Sequence, residues 1–487
     1  MKNNHSIAPL YDALVHYGLK QNVTPFDVPG HKMGKGIAKR FIDDVGEAIF
    51  KLDVNSMKEL DSLSNPVSVI KEAEELAADL FEADHAFFIV NGSTSGVQNM
   101  ILATCRDNDK IIMPRNMHKS AYNGLILSGA KPIYIDPVIH DDSGISMGLT
   151  LDAVKETILN NLDAKAILLL HPNYFGYTSN LKEIIDFAHD KNMIVLVDQS
   201  HGSHFSLHES FPVSAMTLGA DLATISMHKT GGSLTQSSIL LHNNGLVPYS
   251  KLRSTINLSQ TSSASYLLLA SLDVARQHLA LNKDSLFKEI DMLANHAKAH
   301  INQIEGFKVL NSSILDGDGI YAHDHTKLTV DVSAYGMSGF KVYDLFKEHF
   351  NIQLELGETH IVLAIISLGD TMESINQLIE GFRRFSKLYP LKPRAVMKKI
   401  ELNIPEMIYT PRQAFFKHST LMELSQTESM IAADSIMIYP PGIPLVVPGE
   451  RITKEVIDNY YYFVKQEAIL IGSHEKNDHI YIKVLTP

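Results

Sequence analysis

Residues 193–202 read Met193-Ile-Val-Leu-Val-Asp-Gln-Ser-His-Gly202. The unbroken apolar run at its start is typical of a strand buried on both faces, as in a parallel sheet that helices cover. Similar runs recur between about residues 65 and 245 and are separated by segments long enough for crossover helices. The pattern predicts a doubly wound α/β domain with a mainly parallel sheet.

Each apolar run is bounded by turn signals or by a segment with helical spacing of apolar residues. The predicted strands are Ala86–Val90, Lys110–Met113, Pro132–Ile135, Ala166–Leu170, Met193–Val197, Leu222–Ser226 and Ser238–Leu241. Helices are predicted over Glu72–Phe81 and Leu181–His189. In such a sheet, ligands bind beyond the carboxyl ends of the strands, so the residues that follow each strand are the candidate site residues.

The composition is that of a folded globular protein: 45% of the 487 residues are hydrophobic and 20% are charged. One cysteine, Cys105, excludes an internal disulfide and favours a reducing compartment, and no metal site is predicted. A net charge of −12 argues against nucleic acid as a partner. No secretory signal is evident, and the apolar runs are far shorter than the ~20 residues of a membrane helix. We therefore expect a cytoplasmic protein with no membrane partner.

The chain divides into four predicted parts. An N-terminal segment over 1–64 is rich in turn signals, and the alternating α/β pattern occupies 65–283. A smaller α+β domain over 284–390 is expected to begin with an amphipathic helix over Leu286–Ile304, and prolines 390 and 393 precede a C-terminal domain over 391–487.

Two of the stretches that follow predicted strands could bind an anion or an aromatic ring. Asn91-Gly-Ser-Thr-Ser-Gly96 places glycines and hydroxyls where a helix should begin, which suits a phosphate group. The alternative is an ordinary helix cap. His118, in Arg115-Asn-Met-His-Lys-Ser120, could stack on an aromatic ligand or act in acid–base chemistry, or it could lie in a surface turn.

Two further stretches add a carboxylate and an amine. Asp198 can pair with a protonated ring nitrogen, although a helix-capping aspartate is the alternative. Lys229, in Ser226-Met-His-Lys-Thr-Gly-Gly232, can form an imine with a carbonyl, although a lone lysine is usually solvated. A phosphate site, a stacking histidine, a ring-nitrogen aspartate and an imine lysine, each at a strand end, together indicate pyridoxal 5′-phosphate (PLP).

On these residues the chain resembles the Orn/Lys/Arg decarboxylase family, within the fold-type I (aspartate-aminotransferase-like) PLP-dependent enzymes. The matching stretches are Val28-Pro-Gly-His-Lys32, Asn91–Ser95, Arg115–Ser120, Asp198–Gly202, Ser226–Lys229, Tyr439-Pro-Pro-Gly-Ile-Pro444 and Pro448-Gly-Glu450. Two further stretches, Gly231–Ser238 and Ser265–Asp273, are most similar to the short bacterial biosynthetic arginine decarboxylases. The resemblance implies that 65–283 is the PLP-binding large domain and that 391–487 is the family's C-terminal domain.

The resemblance also implies residue roles. Lys229 would form the imine, Asp198 would pair with the ring nitrogen, and His118 would stack on the ring. His201 would lie beside the phenolic oxygen of the cofactor or beside the reacting centre. The phosphate ligands would be Ser93, Thr94, Ser226 and His228 of one subunit, with Ser262 and Ser263 reaching the phosphate of the partner in a homodimer or larger homo-oligomer.

The implied reaction is α-decarboxylation of a basic amino acid, with arginine to agmatine favoured. Lysine or ornithine decarboxylation, a PLP-dependent aminotransferase or lyase on the same scaffold, and a regulator without turnover are the alternatives. An acidic stretch with Glu355 and Glu358 could receive the cationic side chain, or it could be a solvated loop. The chain departs from the family pattern Asp-Glu-Ala-His-Gly at Gln199 and Ser200, and Ser200 would place a hydroxyl under the ring.

Overall fold

A computed structural model describes residues 4–393, 404–439, 443–477 and 479–486. Pro440, Pro441 and Gly442 of the predicted motif Tyr439–Pro444 lie outside the described residues. The strands are β1 His85–Ile89, β2 Lys110–Pro114, β3 Lys131–Ile135, β4 Ala166–Leu170, β5 Tyr177–Thr178, β6 Ile194–Asp198, β7 Leu222–Ile225, β8 Ser238–His242, β9 Lys308–Val309, β10 Ala322–His323, β11 Lys327–Asp331, β12 Leu356–Gly357, β13 Ile361–Ile365, β14 Ser419–Glu423, β15 Ile436–Tyr439, β16 Ile443–Val446, β17 Ile469–Ile471, β18 Ser473–Lys476 and β19 His479–Leu485.

Helices precede, separate and follow these strands. The α-helices are α1 Pro9–Val15, α2 Lys39–Val45, α3 Ala48–Leu52, α4 Val69–Leu80, α5 Gly92–Thr104, α6 Lys119–Ser128, α7 Leu151–Leu159, α8 Leu181–Asp190, α9 Ala215–Leu218, α10 Met227–Thr230, α11 Tyr249–Ser259, α12 Tyr266–Ile301, α13 Gly339–Phe350, α14 Met372–Leu388, α15 Pro411–Phe415 and α16 Lys454–Lys465. A π-helix over His16–Lys20 follows α1, and short 3-10 helices occur at Ser312–Ile314, Ser333–Tyr335 and Leu424–Gln426. Over the part of the chain that the structure describes, no helix is both long and apolar enough to span a bilayer.

The first of two compact units comprises Met1–Ala103, Leu196–Glu209 and Val213–Phe287. Its strands lie in the order β1-β8-β7-β6. β6 and β7 are parallel, whereas β8 runs antiparallel to both β1 and β7. The connection from β7 to β8 contains only the four-residue α10. A parallel crossover usually needs a longer helix, which explains why β8 reverses direction.

The second unit comprises Thr104–Val195, Ser210–Pro212 and Lys288–Pro487. Its main strands lie in the order β6-β4-β2-β3, and β2 pairs in parallel with both β3 and β4. The N–H of Ile194, in β6, donates to Lys165 O at 3.2 Å. Because β6 contributes residues to both units, the two runs are parts of one seven-stranded, mainly parallel sheet, as predicted.

All seven predicted strands are confirmed, with each end displaced by no more than one residue. The two predicted helices correspond to α4 and α8. Most strands of this sheet are almost wholly buried, in agreement with their lack of a polar face. The edge strand β3 is partly exposed. α12 differs from the prediction, since it begins at Tyr266 and extends over 36 residues. Its first half carries buried residues such as Leu269 and Leu272 beside the buried Asp273 and Arg276, so it lacks the simple amphipathic period that marked its second half.

Smaller antiparallel sheets complete the second unit. One has the order β12-β13-β11-β9, and two three-stranded sheets have the orders β14-β19-β18 and β16-β15-β17. A hydrophobic cluster around Leu424, Val446 and Tyr460 forms the core of the last part of the chain, and Phe340 of α13 packs into it. A second cluster around Tyr177, Leu356 and Leu363 lies elsewhere in the same unit.

Candidate active site

Asp198 is the last residue of β6, and the residue as a whole is buried, with 3% of its surface exposed. Its Oδ1 accepts two hydrogen bonds from Ser200, one from the backbone N–H at 3.1 Å and one from the hydroxyl at 2.5 Å. An aspartate that accepts the N–H two residues later forms an Asx turn, which explains how the chain leaves the strand here. The N–H of Ser226 in turn donates to Ser200 O at 3.4 Å.

Gln199 is buried beside Asp198, and both ends of its amide are hydrogen bonded. Nε2 donates to Gly202 O at 2.9 Å, and Oε1 accepts the N–H of Ala215 at 2.7 Å. A carboxylate has no proton to donate, so an ionised glutamate could make only the second bond. Glutamine at position 199 therefore makes two hydrogen bonds where an ionised glutamate could make only one.

Lys229 lies in α10, directly after β7, and its amine contacts a histidine. Nζ is 2.8 Å from Nε2 of His201, which follows the Asx turn of Asp198. His201 is buried and Lys229 is partly exposed. Next to them, the hydroxyls of Ser203 and Thr230 lie 2.6 Å apart and link the same two loops. The loops after β6 and β7 thus bring the predicted amine and a predicted proton carrier together.

Two of the predicted phosphate ligands also meet. The Ser226 hydroxyl lies 2.8 Å from the Ser93 hydroxyl, and both side chains are buried. Ser93 is in the first turn of α5, whose leading residue Gly92 has a φ of +70° and donates its N–H to Gln236 O at 2.8 Å. The N–H groups in the first turn of this 13-residue helix, with two hydroxyls beside them, are suited to an anion. Thr94 lies in the same turn and is exposed.

Gly96 allows α5 to lie directly against the sheet. A Cβ at this position would come 2.2 Å from Oγ1 of Thr224, a fully buried residue of β7. No side chain can occupy that space without a shift of the helix or the strand. The glycine therefore sets the distance between the hydroxyl-bearing first turn of α5 and the end of β7.

The surroundings of His228 favour the neutral form of its ring. Burial lowers the pKa of its imidazole, with a smaller lowering from Lys229, while the bond to Ser237 O opposes the change. Nδ1 lies 3.0 Å from that carbonyl oxygen, so Nδ1 carries the proton of the neutral ring. Nε2 is then an acceptor, and it becomes a donor to phosphate only when the ring is protonated.

His118 lies in the second unit, where it caps the N-terminus of α6. Its Nδ1 accepts the N–H of Ser120 at 3.2 Å and lies 2.9 Å from the Ser120 hydroxyl. Three residues earlier, Arg115 forms a buried bidentate ion pair with Glu450 of the predicted Pro448-Gly-Glu450 stretch. Burial raises the pKa of Glu450, and the arginine opposes this rise. Two stretches that the sequence singled out separately are thus joined.

The remaining predicted residues lie at the surface or in other loops. Ser262 and Ser263 follow α11 and are exposed, and the N–H of Ser263 donates to Thr261 Oγ1 at 3.2 Å. Glu355 is exposed, whereas Glu358 is only partly exposed and accepts the N–H of Thr359 at 3.2 Å. Burial raises the pKa of Glu358 to about 7.

Residue patterns alone did not identify the supporting side chains. The amide contacts of Gln199, the close approach of Gly96 to Thr224 and the partner of Arg115 all depend on loops that are distant in sequence. One of the missed contacts had a local signal. An aspartate where a strand ends commonly accepts the backbone N–H two residues later, and this would have predicted the backbone contact between Asp198 and Ser200.

The residues of the first unit fit a PLP molecule. Ser93 and Ser226 pair their hydroxyls at a helix start, which suits a phosphate group. Asp198 has one oxygen, Oδ2, that accepts no hydrogen bond from any residue the structure describes, although the side chain is buried. Such an oxygen is available to a protonated ring nitrogen, and Lys229 supplies an amine in the next loop.

Comparison with known proteins places these features in one family. Residues 8–374 match the family model "Orn/Lys/Arg decarboxylase, major domain", and residues 394–470 match "Orn/Lys/Arg decarboxylase, C-terminal domain". The chain is 40% identical over 463 residues to an arginine decarboxylase of Bacillus subtilis, with 94% of each protein covered.

Solved structures share the fold. A lysine decarboxylase of Francisella novicida superposes with a TM-score of 0.85 at 24% identity, covering 99% of this chain and 81% of that one. A ureidoglycine–glyoxylate aminotransferase of Bacillus subtilis gives 0.54 at 13% identity, covering 67% of this chain and 87% of that one. The predicted fold-type I architecture is confirmed, and the chain belongs to the Orn/Lys/Arg decarboxylase family.

Proposed function

We propose that the protein is a PLP-dependent decarboxylase that converts arginine to agmatine. The observation that carries the chemistry is the pairing of Lys229 with His201 beside the buried Asp198. The preference for arginine is supported by the 40% identity to an arginine decarboxylase, against 24% for the lysine decarboxylase of known structure. Lysine and ornithine remain the alternative substrates within the family.

The cofactor would be held by residues of several loops. Ser93, Ser226 and the first turn of α5 would bind its phosphate, with Thr94 and a protonated His228 as further ligands. Asp198 would hold the proton of the ring nitrogen, His118 would stack on the ring, and Lys229 would bond the cofactor through its amine. When bound, PLP supplies an electron sink for the pair left at Cα after CO2 departs.

Lys229 and His201 would carry out the proton transfers. An amine must lose a proton before it acts as a nucleophile, and a neutral imidazole nitrogen 2.8 Å away can accept that proton. The same pair can later return a proton to Cα. Asp198, which is buried, would face the ring nitrogen.

Glu358 is our candidate for the group that receives the guanidinium. Its carboxyl is partly buried and has a pKa of about 7, so an arriving cation would favour its ionised form. Glu355, three positions earlier in the sequence, is exposed and better suited to solvent. Replacement of Glu358 by Gln is expected to raise KM for arginine with little change in kcat.

A substrate panel tests the proposal. Purified protein is incubated with arginine, lysine or ornithine, with and without PLP, and CO2 and the amine product are measured. We expect PLP-dependent CO2 and agmatine from arginine. Formation of a keto acid would contradict decarboxylation and favour an aminotransferase. Lys229→Ala is expected to lose at least about 10³-fold in turnover, and normal turnover in that variant would exclude the imine role.

We further propose a homodimer, or a larger homo-oligomer, in which Ser262 and Ser263 reach the partner's phosphate site. Their exposure supports this, as does the exposure of the nearby Leu258. Mixing Lys229→Ala subunits with Ser262→Ala/Ser263→Ala subunits tests it, because a shared site would restore one intact centre per mixed dimer. No recovery beyond the sum of the two variants would contradict a shared site.

We also propose that the chain has four parts, with boundaries at 64/65, 283/284 and 390/391. We propose in addition a role in cytoplasmic polyamine biosynthesis. The buried thiol of Cys105, whose pKa burial raises to about 11, is consistent with a packing role in a reducing compartment. Limited proteolysis tests the boundaries. We expect the first cleavage near residue 390, before the predicted C-terminal domain.

A further inference from the structure

The carboxylate of Asp198 has two unequal oxygens. Oδ1 accepts both hydrogen bonds that Ser200 donates, at 3.1 Å from the backbone and 2.5 Å from the hydroxyl. Oδ2 accepts none from the described residues, although Asp198 is 3% exposed. Oδ2 therefore keeps its full capacity to accept a hydrogen bond from a ligand atom.

Ser200 is itself fixed in place. It is buried, and its carbonyl oxygen accepts the N–H of Ser226 at 3.4 Å, which ties it to the loop that follows β7. The neighbouring Gln199 donates its own backbone N–H to Thr224 O at 3.0 Å. The hydroxyl is therefore presented to Asp198 from a loop that is anchored on both sides.

The hydroxyl adds something that the backbone cannot supply. A residue without a side-chain donor at position 200 would still give its N–H to Oδ1. One hydrogen bond leaves the carboxylate free to turn about its Cβ–Cγ bond, whose torsion is broad. A second donor on the same oxygen opposes that rotation and keeps Oδ2 on the opposite side.

We propose that Ser200 is a positioning residue for the cofactor: its hydroxyl holds Oδ1 of Asp198 and leaves Oδ2 as the atom that faces the protonated ring nitrogen. This inference rests on the proposed function, because it assigns a support to the aspartate that would bind PLP. It also gives the serine at position 200 a role within this chain.

The affinity of the apo-protein for PLP tests the proposal independently of turnover. Apo-protein is titrated with PLP, and cofactor absorbance is recorded for wild type, Ser200→Ala and Ser203→Ala. Ser203 is the matched control, since its buried hydroxyl contacts Thr230 in the same region and does not contact Asp198. We expect Ser200→Ala to weaken PLP binding about tenfold, which corresponds to ~1.4 kcal/mol, and Ser203→Ala to change it less than twofold.

Binding by Ser200→Ala within twofold of wild type, tighter binding, or an equal loss in Ser203→Ala would each overturn the role of Ser200. Melting curves of the apo-variants report whether they are folded. Should Ser200→Ala not fold, Ser200→Cys keeps most of the volume with a weak donor and is expected to show the same loss. Failure of the wild type to bind PLP would contradict the proposed function itself, whereas Asp198→Asn losing affinity while Ser200→Ala does not would contradict only this inference.

Discussion

Arg115 and Glu450 are 335 positions apart in the sequence and form a bidentate ion pair with distances of 2.6 and 2.8 Å. The arginine side chain is 4% exposed and the glutamate side chain is fully buried. Glu450 Oε2 also accepts the N–H of Val447 at 2.9 Å, and the Tyr122 hydroxyl donates to Arg115 O at 2.6 Å. The pair thus joins the loop that precedes His118 to the C-terminal part of the chain.

Glu450→Ala is expected to lower the free energy of unfolding by about 3–5 kcal/mol, because it leaves a buried guanidinium without its counter-charge. Urea unfolding measures this. The control is Asp186→Ala, which removes an exposed ion pair with Lys182 and should cost less than about 0.5 kcal/mol. Equal losses in the two variants would show that burial of the pair has no special effect.

Gln199→Glu is expected to destabilise the protein by about 1–3 kcal/mol at pH 8, since an ionised carboxylate cannot donate to Gly202 O. Burial raises the pKa of the new carboxyl, so the loss should shrink at pH 5, where a protonated carboxyl can donate.

Thermal melting at both pH values measures the effect of this change. Gln413→Glu is the matched control, because Gln413 Oε1 only accepts the N–H of Thr410 in a capping box that glutamate also forms. A loss in Gln199→Glu that does not depend on pH would contradict the explanation.

Gly96→Ala is expected to destabilise the protein by about 1–3 kcal/mol, because its Cβ would come 2.2 Å from Thr224 Oγ1. Thr224→Ala should relieve most of this cost, so a double-mutant cycle measured by urea unfolding should show strong coupling. Gly369→Ala is the control, as no atom lies within 4 Å of its added Cβ. Additive effects of the two substitutions would rule out the predicted contact.

Glu358→Gln is expected to change how stability depends on pH. Burial raises the pKa of Glu358 from 4.5 to about 7, so the folded protein holds this proton more tightly than the unfolded chain. The stabilising contribution is complete below about pH 4.5 and is lost as the pH rises through about 7.

The difference in Tm between Glu358→Gln and wild type should therefore increase from pH 5 to pH 8, by about 2 °C in a protein of this size. Glu355→Gln removes an exposed carboxylate three positions away and should show no such increase. A constant difference for Glu358→Gln would mean that its carboxyl titrates normally in the folded protein.

The sequence by itself determined the sheet and the order of its loops. Short apolar runs that alternate with helical segments predict strands buried on both sides, and the structure confirms all seven to within one residue. The antiparallel direction of β8 and the full length of α12 were not predicted in this detail. The direction of β8 depends on the short connection that precedes it. The length of α12 depends on its first half, whose buried residues do not follow a simple amphipathic period.

The site residues divide in the same way. Residue types at strand ends predicted roles for Lys229 and Asp198 and a phosphate site in Asn91–Gly96, because each carries a chemical group that one short stretch reveals. The role predicted for Ser226 rested on the family resemblance. Only the tertiary structure placed His201 against Lys229 and joined Arg115 to Glu450. A hydrogen bond between residues of different loops depends on where the fold brings their atoms, and no local pattern encodes that distance.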